Sequence, residues 1–226
     1  MEWCTTKAEF MARWSCWQKL PNSSQHKLDL YDEIDLLMGD WFSGDYKEIA
    51  KMDDISSSAI LMNGKGPYGD PRSTDHESFP VTKGKTYRFR ISNVGGSYNF
   101  NFRIQNHKTV VVETEGSYTN QTTLDSLDVH VGQSYSVLVT ADRIEADYYI
   151  VVTSKLLNST GFNSSIIGLG VLHYSKSDSQ VTGPLPDGPD PFDIDFSVTQ
   201  VKSIMELEVC KLSNVYTTIL IYSFSS

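Results

Sequence analysis

The chain has few cysteines, no apolar run long enough to span a bilayer, no excess of basic charge and no paired His-x-His motif. The three cysteines, Cys4, Cys16 and Cys210, are an odd number, so at least one lacks an internal partner. Cys4 and Cys16 are free to pair in an oxidising compartment, but nothing forces it, and no disulfide framework organises the chain. The most apolar stretch, VYTTILIYSF at 215–224, is ten residues long. A membrane-crossing helix needs about 20, and a lipid-anchor signal needs a polar spacer and a longer apolar tail. A net charge of −9 disfavours nucleic acid as a partner, because phosphate backbones demand a basic stripe and the sequence shows none. The start, MEWCTTKAEFMARWSCWQK, lacks the uninterrupted apolar core of a signal peptide. Neither a G-x-x-x-x-G-K-[ST] phosphate loop nor a G-x-S-x-G nucleophile elbow occurs.

What is present is period-two alternation. Tyr87, Phe89 and Ile91 alternate with Arg88 and Arg90; Phe100, Phe102 and Ile104 alternate with Asn101, Arg103 and Gln105; Leu127, Val129 and Val131 alternate with Asp128 and His130. That spacing puts the apolar set on one face of a strand and the polar set on the other. Further strands are expected at Ile34–Trp41, Ala59–Met62 and Ile166–Tyr174. Between them, 63–80 (NGKGPYGDPRSTDHESFP) is dense in turn formers, and turns are expected at Asn93–Gly96 and Glu115–Ser117. A polar helical turn is expected near 46–52, and Phe10, Arg13, Trp14 and Trp17 allow a short amphipathic helix. The segment 183–192, GPLPDGPDPF, holds four prolines and reads as an extended linker. Many short strands broken by Gly, Asn and Asp describe an antiparallel β-sandwich, and 226 residues with 39% hydrophobic content suffice for one large core or two small ones.

Seven ordered words carry a resemblance: LLMGDW (36–41), MNGKGP (62–67), YRFRISNVG (87–95), FRIQNHK (102–108), VETEGSYT (112–119), LDVHVGQSYSVLVTAD (127–142) and YYIVVTSK (148–155). Together they resemble the second cupredoxin (plastocyanin-like) domain of multicopper oxidases, within the plant branch of monocopper oxidase-like proteins and L-ascorbate oxidase homologues. The resemblance implies an all-β, cupredoxin-like Greek-key β-sandwich with irregular N- and C-terminal extensions. It divides the chain into an N-terminal extension (1–28), the sandwich (29–182), a Pro/Gly-rich linker and start of an exit segment (183–204) and a divergent tail (205–226). It also implies an extracellular location, in apoplast or cell wall, and an oxidoreductase label with copper as the cofactor of full-length catalytic relatives. The family's middle domain carries none of the copper ligands, so no copper is expected in this chain. Four N-x-S/T sequons, at Asn22, Asn120, Asn158 and Asn163, are candidate glycosylation sites and favour secretion.

The residues themselves agree with that expectation. A blue-copper site needs two His and a Cys with a weak axial ligand. Here His26, His76, His107, His130 and His173 are isolated, and no His follows Cys210. His107 is read as structural, with Asn106 supplying a left-handed turn before it. Gly64, Gly66 and Gly69 fit G-x-G-x-x-G, but the following DPRSTDHESFP does not begin the helix that a dinucleotide site requires. Glu113 and Glu115 share parity and pose a paired-carboxylate reading, against which stands a solvated strand edge. Tyr87, Phe89, Phe100, Phe102, Tyr135 and Tyr149 are expected in the core. Tyr68, Tyr98 and Tyr118 lie near turns, where exposure would allow a glycan platform. The functional expectation is a non-catalytic structural or cell-wall domain; the alternative is an oxidase component that acts only with copper-bearing domains or a partner that supplies them.

Overall fold

The computed structural model describes residues 30–44, 47, 57–66, 76–155, 166–178 and 180–205. Its strands are β1 (Asp32–Trp41), β2 (Ala59–Met62), β3 (Glu77–Val81), β4 (Thr86–Asn93), β5 (Asn99–Ile104), β6 (Thr109–Thr114), β7 (Ser117–Leu124), β8 (Leu127–Val129), β9 (Ser134–Thr140), β10 (Asp147–Lys155) and β11 (Ile167–Tyr174). They form one sheet in the order β2-β1-β4-β9-β6-β7 and a second in the order β3-β11-β10-β5-β8. Alternation puts Leu36, Met38, Phe89, Ile91 and Val137 of the first sheet against Phe100, Phe102, Val129, Ile150 and Tyr174 of the second, all fully buried. Each such side chain removed from water contributes roughly 1.5–3 kcal/mol, which makes this interface the main source of stability. The expected antiparallel sandwich holds with two exceptions. β1 runs parallel to β4 and β3 parallel to β11, because long crossovers bring these strands in from elsewhere in the chain.

The glycine-rich loop resolves into turn chemistry. Met62 and Lys65 exchange backbone hydrogen bonds of 2.8 and 2.9 Å around Asn63 (φ 48°) and Gly64 (φ 81°). Two successive positive φ values after a strand define the tight hairpin that Asn-Gly favours. The Asn63 side chain accepts from Leu37 N at 2.9 Å and donates to Asp35 O at 3.1 Å, fixing the hairpin to β1. Downstream, Asn93 donates to Tyr98 O and Val129 O while accepting from Gly95 N. Asp40 accepts from Gly96 N and Ser97 N, each at 2.8 Å.

Several expectations are corrected. Strand β3 occupies the end of the stretch read as loop. Tyr98 is buried rather than exposed, stacked on Phe42 and accepting from Ser57 N. In β10 the core tyrosine is Tyr148, and Tyr149 is only half-buried. The strand over 127–131 ends at Val129, leaving Val131 exposed. The largest correction concerns the polar faces of β5 and β8. Asn101, Arg103, Gln105 and Asp128 are buried, not solvated, because residues 180–193 and a helix α1 (Ile194–Met205) lie across them. That helix starts at an Asp193 cap, whose carboxylate accepts from Phe196 N at 2.8 Å. It bears Asp195 in its first turn and Lys202 in its last, both favourable to its dipole. The expected helical turn near 46–52 lies outside the described residues except for Lys47, as does the amphipathic segment at 10–17.

Candidate functional site

The densest polar chemistry lies beneath the strap formed by 180–193 and α1. Gln105 Nε2 donates to Thr182 O and Pro184 O at 3.2 and 3.1 Å, and Arg103 Nε donates to Pro186 O at 2.9 Å. Lys155 Nζ donates to Asp190 O and Asp193 O, both at 3.1 Å. It lies 3.4 Å from Asp128 Oδ2 and 5.3 Å from the centre of the Phe196 ring. Asp128 is saturated, accepting from Asn101 Nδ2 at 2.7 Å and Ser197 Oγ at 2.6 Å. Its backbone N–H donates to Gln200 Oε1, and its carbonyl accepts from Gln200 Nε2. Lys155 and Asp128 are each only 2% exposed. A charge pair this deep is tolerated because the Lys155 ammonium and both carboxylate oxygens of Asp128 have polar partners. Burial also lowers the pKa of Arg103, with nearby Asp187 opposing the shift.

A second cluster occupies the end of the sandwich where β5 turns into β6. Asn106 is left-handed (φ 59°), as its place before His107 implied. His107 is buried, with Nδ1 at 2.7 Å from Gln105 O and Nε2 at 2.8 Å from the Tyr174 hydroxyl. A carbonyl only accepts, so Nδ1 carries the proton and Nε2 accepts from Tyr174. Desolvation lowers the pKa of His107 and raises those of Tyr148 and Tyr174. An open cleft of about 450 Å³ lined by Asn106, Asp142, Arg143, Ile144 and Tyr148 lies beside it.

The two carboxylates read as a pair are separated in role. The end of β6 at Thr114 puts Glu115 in the following turn and breaks their shared parity. Glu113 pairs with Arg88 and accepts from Ser136 Oγ at 2.7 Å, whereas Glu115, at φ 46° in the next turn, accepts from Ser134 N. Arg88, Arg90, Glu33 and Glu113 form a charged row across the outer face of the first sheet. Of the tyrosines proposed for a platform, Tyr118 is exposed, Tyr98 is not, and Tyr68 lies outside the described residues. Asn120 is exposed on β7, an edge strand; Asn22, Asn158 and Asn163 lie outside the described residues.

Copper, the metal of the family resembled, requires imidazole nitrogens and a thiolate that converge. His107 uses both ring nitrogens internally, His130 Nδ1 is 3.0 Å from Gln133 Oε1, and His173 Nδ1 is 2.8 Å from Asp147 Oδ1. Among the described residues no group of three or more His, Cys, Asp or Glu converges on a metal position. Cys4, Cys16, Cys210 and His26 lie outside them. The side chains described do not fit a copper centre.

Two mixed sheets of this order, closed face to face around one core, define a cupredoxin-like domain. Its fold is that of the multicopper oxidase Fet3p, described as functioning in iron import (TM-score 0.62, 23% identity, 76% of this chain and 33% of that one). It is also that of the laccase of Botrytis aclada (TM-score 0.59, 23% identity, 71% and 32%). The multicopper oxidase family model matches residues 32–177, and the chain belongs to that family. It is 45% identical over 164 residues to the monocopper oxidase-like protein SKS1 of Arabidopsis thaliana, covering 68% of this chain and 28% of that protein. To SKU5 of the same plant it is 44% identical over 184 residues (76% and 31%). To the L-ascorbate oxidase homolog of Brassica napus it is 40% identical over 166 residues (71% and 29%). The chain thus spans under a third of the length of these relatives.

Proposed function

We propose that this chain provides a copper-free, non-catalytic cupredoxin domain corresponding to the middle domain of a plant monocopper oxidase-like protein. On this reading its role is structural, holding neighbouring domains or cell-wall components at a fixed separation outside the cell. The observation that supports it is how the histidines are used. His107 ties a turn to β11, His130 holds its own loop through Gln133, and His173 braces Asp147 across β10 and β11. Three of the four described imidazoles are thus committed to internal partners that shape the sandwich without metal, the buried Nδ1 of His76 being the one that makes no hydrogen bond. Exposed Asn120, within an N-x-S/T sequon on an edge strand, supports passage through the secretory pathway.

A second reading is an oxidoreductase component that gains copper only from domains supplied alongside it. Its support is the coverage of less than a third of each relative. Oxygen uptake on mixing with copper-bearing domains separates the two, and bound copper per chain tests the structural reading by itself, measured on protein secreted from a eukaryotic host, equilibrated with copper and washed. The structural reading expects a ratio near zero and no oxygen consumption with or without added copper-bearing domains. A stoichiometric ratio, blue or colourless, overturns it. Oxygen uptake that appears only on mixing establishes the second reading.

A further inference from the structure

Tyr174, at the end of β11, is fully buried, yet its hydroxyl has the partners of a group prepared to lose its proton. The tautomer of His107 is fixed by the Gln105 carbonyl at 2.7 Å, which leaves Nε2 as a neutral lone pair 2.8 Å from the phenol oxygen. The same oxygen accepts the backbone N–H of Arg143 at 3.2 Å. The phenol proton therefore has one place to go, along a hydrogen bond already made, and the oxygen left behind keeps a donor. Tyr148 differs in one respect that matters. Its ring is 4.8 Å from His107 and 5.5 Å from Tyr174, but its hydroxyl donates to the Ile144 carbonyl at 2.9 Å. A carbonyl is a poor proton acceptor, so Tyr148 has no base. Tyr148 also lines the surface cleft with Asn106, Asp142, Arg143 and Ile144.

The geometry points to a proton-coupled oxidation site made of Tyr174 and His107, with Tyr148 as the conduit from the cleft. The co-reactant is an outer-sphere one-electron oxidant that docks at the cleft. One electron leaves Tyr174 by way of the Tyr148 ring and reduces that oxidant by one. The Tyr174 O–H bond breaks, and the proton forms an N–H bond at His107 Nε2. The products are a neutral phenoxyl on Tyr174, an imidazolium at His107 and the reduced oxidant. The positive charge gained by the protein equals the electron lost. Return of the electron reverses the proton and restores the starting pair. Burial favours this arrangement on both sides: it keeps the His107 imidazole neutral and able to accept, and it opposes loss of the Tyr174 proton unless an electron leaves too.

The experiment is flash photo-oxidation of the whole chain with ruthenium tris(bipyridine) and a sacrificial quencher, following phenoxyl by transient absorption and electron paramagnetic resonance. The expected result is a long-lived phenoxyl whose rate of formation does not depend on buffer-base concentration, since the proton acceptor is internal. Tyr174→Phe loses that signal. His107→Gln, which retains a hydrogen-bonding oxygen but no base, slows it by about tenfold or more, equivalent to about 1.4 kcal/mol of barrier. Tyr31→Phe/Tyr118→Phe changes only exposed tyrosines and keeps the signal, which excludes these surface phenols as its source, while near-ultraviolet circular dichroism of the two core variants matches that of the natural chain. A signal that vanishes in that double variant, persists in Tyr174→Phe, or forms at an unchanged rate in His107→Gln overturns the proposal.

Discussion

Lys155 joins the strap to the buried carboxylate, because one ammonium serves two backbone carbonyls, Asp128 and an aromatic face. Replacing it with Met keeps the volume but leaves Asp128 charged and buried. Lys155→Met is expected to cost about 3–5 kcal/mol, read from urea unfolding. Lys155→Met/Asp128→Asn should cost less than the sum of the two single changes, since neither charge is then stranded. His107 gives a pH prediction. Its folded pKa lies below the ordinary 6.5, chiefly through burial, with Asp142 raising and Arg143 lowering it. Between that lowered value and 6.5 the unfolded chain binds a proton that the folded chain refuses. The stability contributed by the neutral imidazole is complete above the unfolded pKa and is lost as pH falls towards the folded one. Urea midpoints of His107→Gln should fall less steeply through this window than those of the natural chain. These residues differ in how far the sequence revealed them. Asn106-His107 could be read as a structural turn because Asn tolerates positive φ. Lys155 closes the word YYIVVTSK and carries no local mark of the helix some forty residues later that covers it.

At the level of elements, strands whose apolar and polar residues alternate were legible even where both faces are covered, as in β5, and a strand of consecutive apolar residues was not. β4 alternates cleanly, and its core set Tyr87, Phe89 and Ile91 is buried as the period demands. β10 is covered on both sides, so Tyr148, Ile150, Val151 and Val152 are all buried and the period of two disappears. That is why Tyr149 was assigned to the wrong face. α1 was invisible for a related reason. The residues it turns inward are Ser197 and Gln200 as well as Ile204, while Ile194 and Val198 face out, so no continuous apolar stripe marks its core side. The Asp193 cap was its one readable sign. The hairpin after β2 allows two glycines to be told apart. A Cβ on Gly64 meets nothing within 4 Å, so Gly64→Ala should cost only the left-handed backbone penalty, about 1–2 kcal/mol. A Cβ on Gly66 would sit 2.8 Å from Ile60 O, a backbone atom that does not readily move. Gly66→Ala should therefore cost more than Gly64→Ala in the same thermal melt.

For the whole molecule, the order of assembly follows from which surfaces must exist first. The strap binds a platform drawn from β5, β8 and β10, so its bonds form only after the second sheet is paired. Stabilising contacts made late in folding act on the unfolding rate. Lys155→Met is expected to speed unfolding while leaving the folding rate nearly unchanged, as stopped-flow circular dichroism in urea would register; a slowed folding limb would show that the strap joins the nucleus. The sandwich itself, with its parallel pairs between strands distant in sequence, is expected to fold in milliseconds to seconds.

The sheet holds the strap largely through main-chain oxygens, those of Thr182, Pro184, Pro186, Asp190 and Asp193. Such a grip registers the path of a segment and is nearly indifferent to its spelling. Over evolutionary time most side chains along 182–193 are thus free to drift, so long as the route is kept. The exceptions are Gly183, whose φ of 90° strains other residues, Gly188, where a side chain would collide with the Arg103 guanidinium, and Asp193, which caps α1. Asn101, Arg103, Gln105, Asp128 and Lys155, by contrast, have no comparable latitude. Diversity in this region should accumulate on the strap and stop at the sheet.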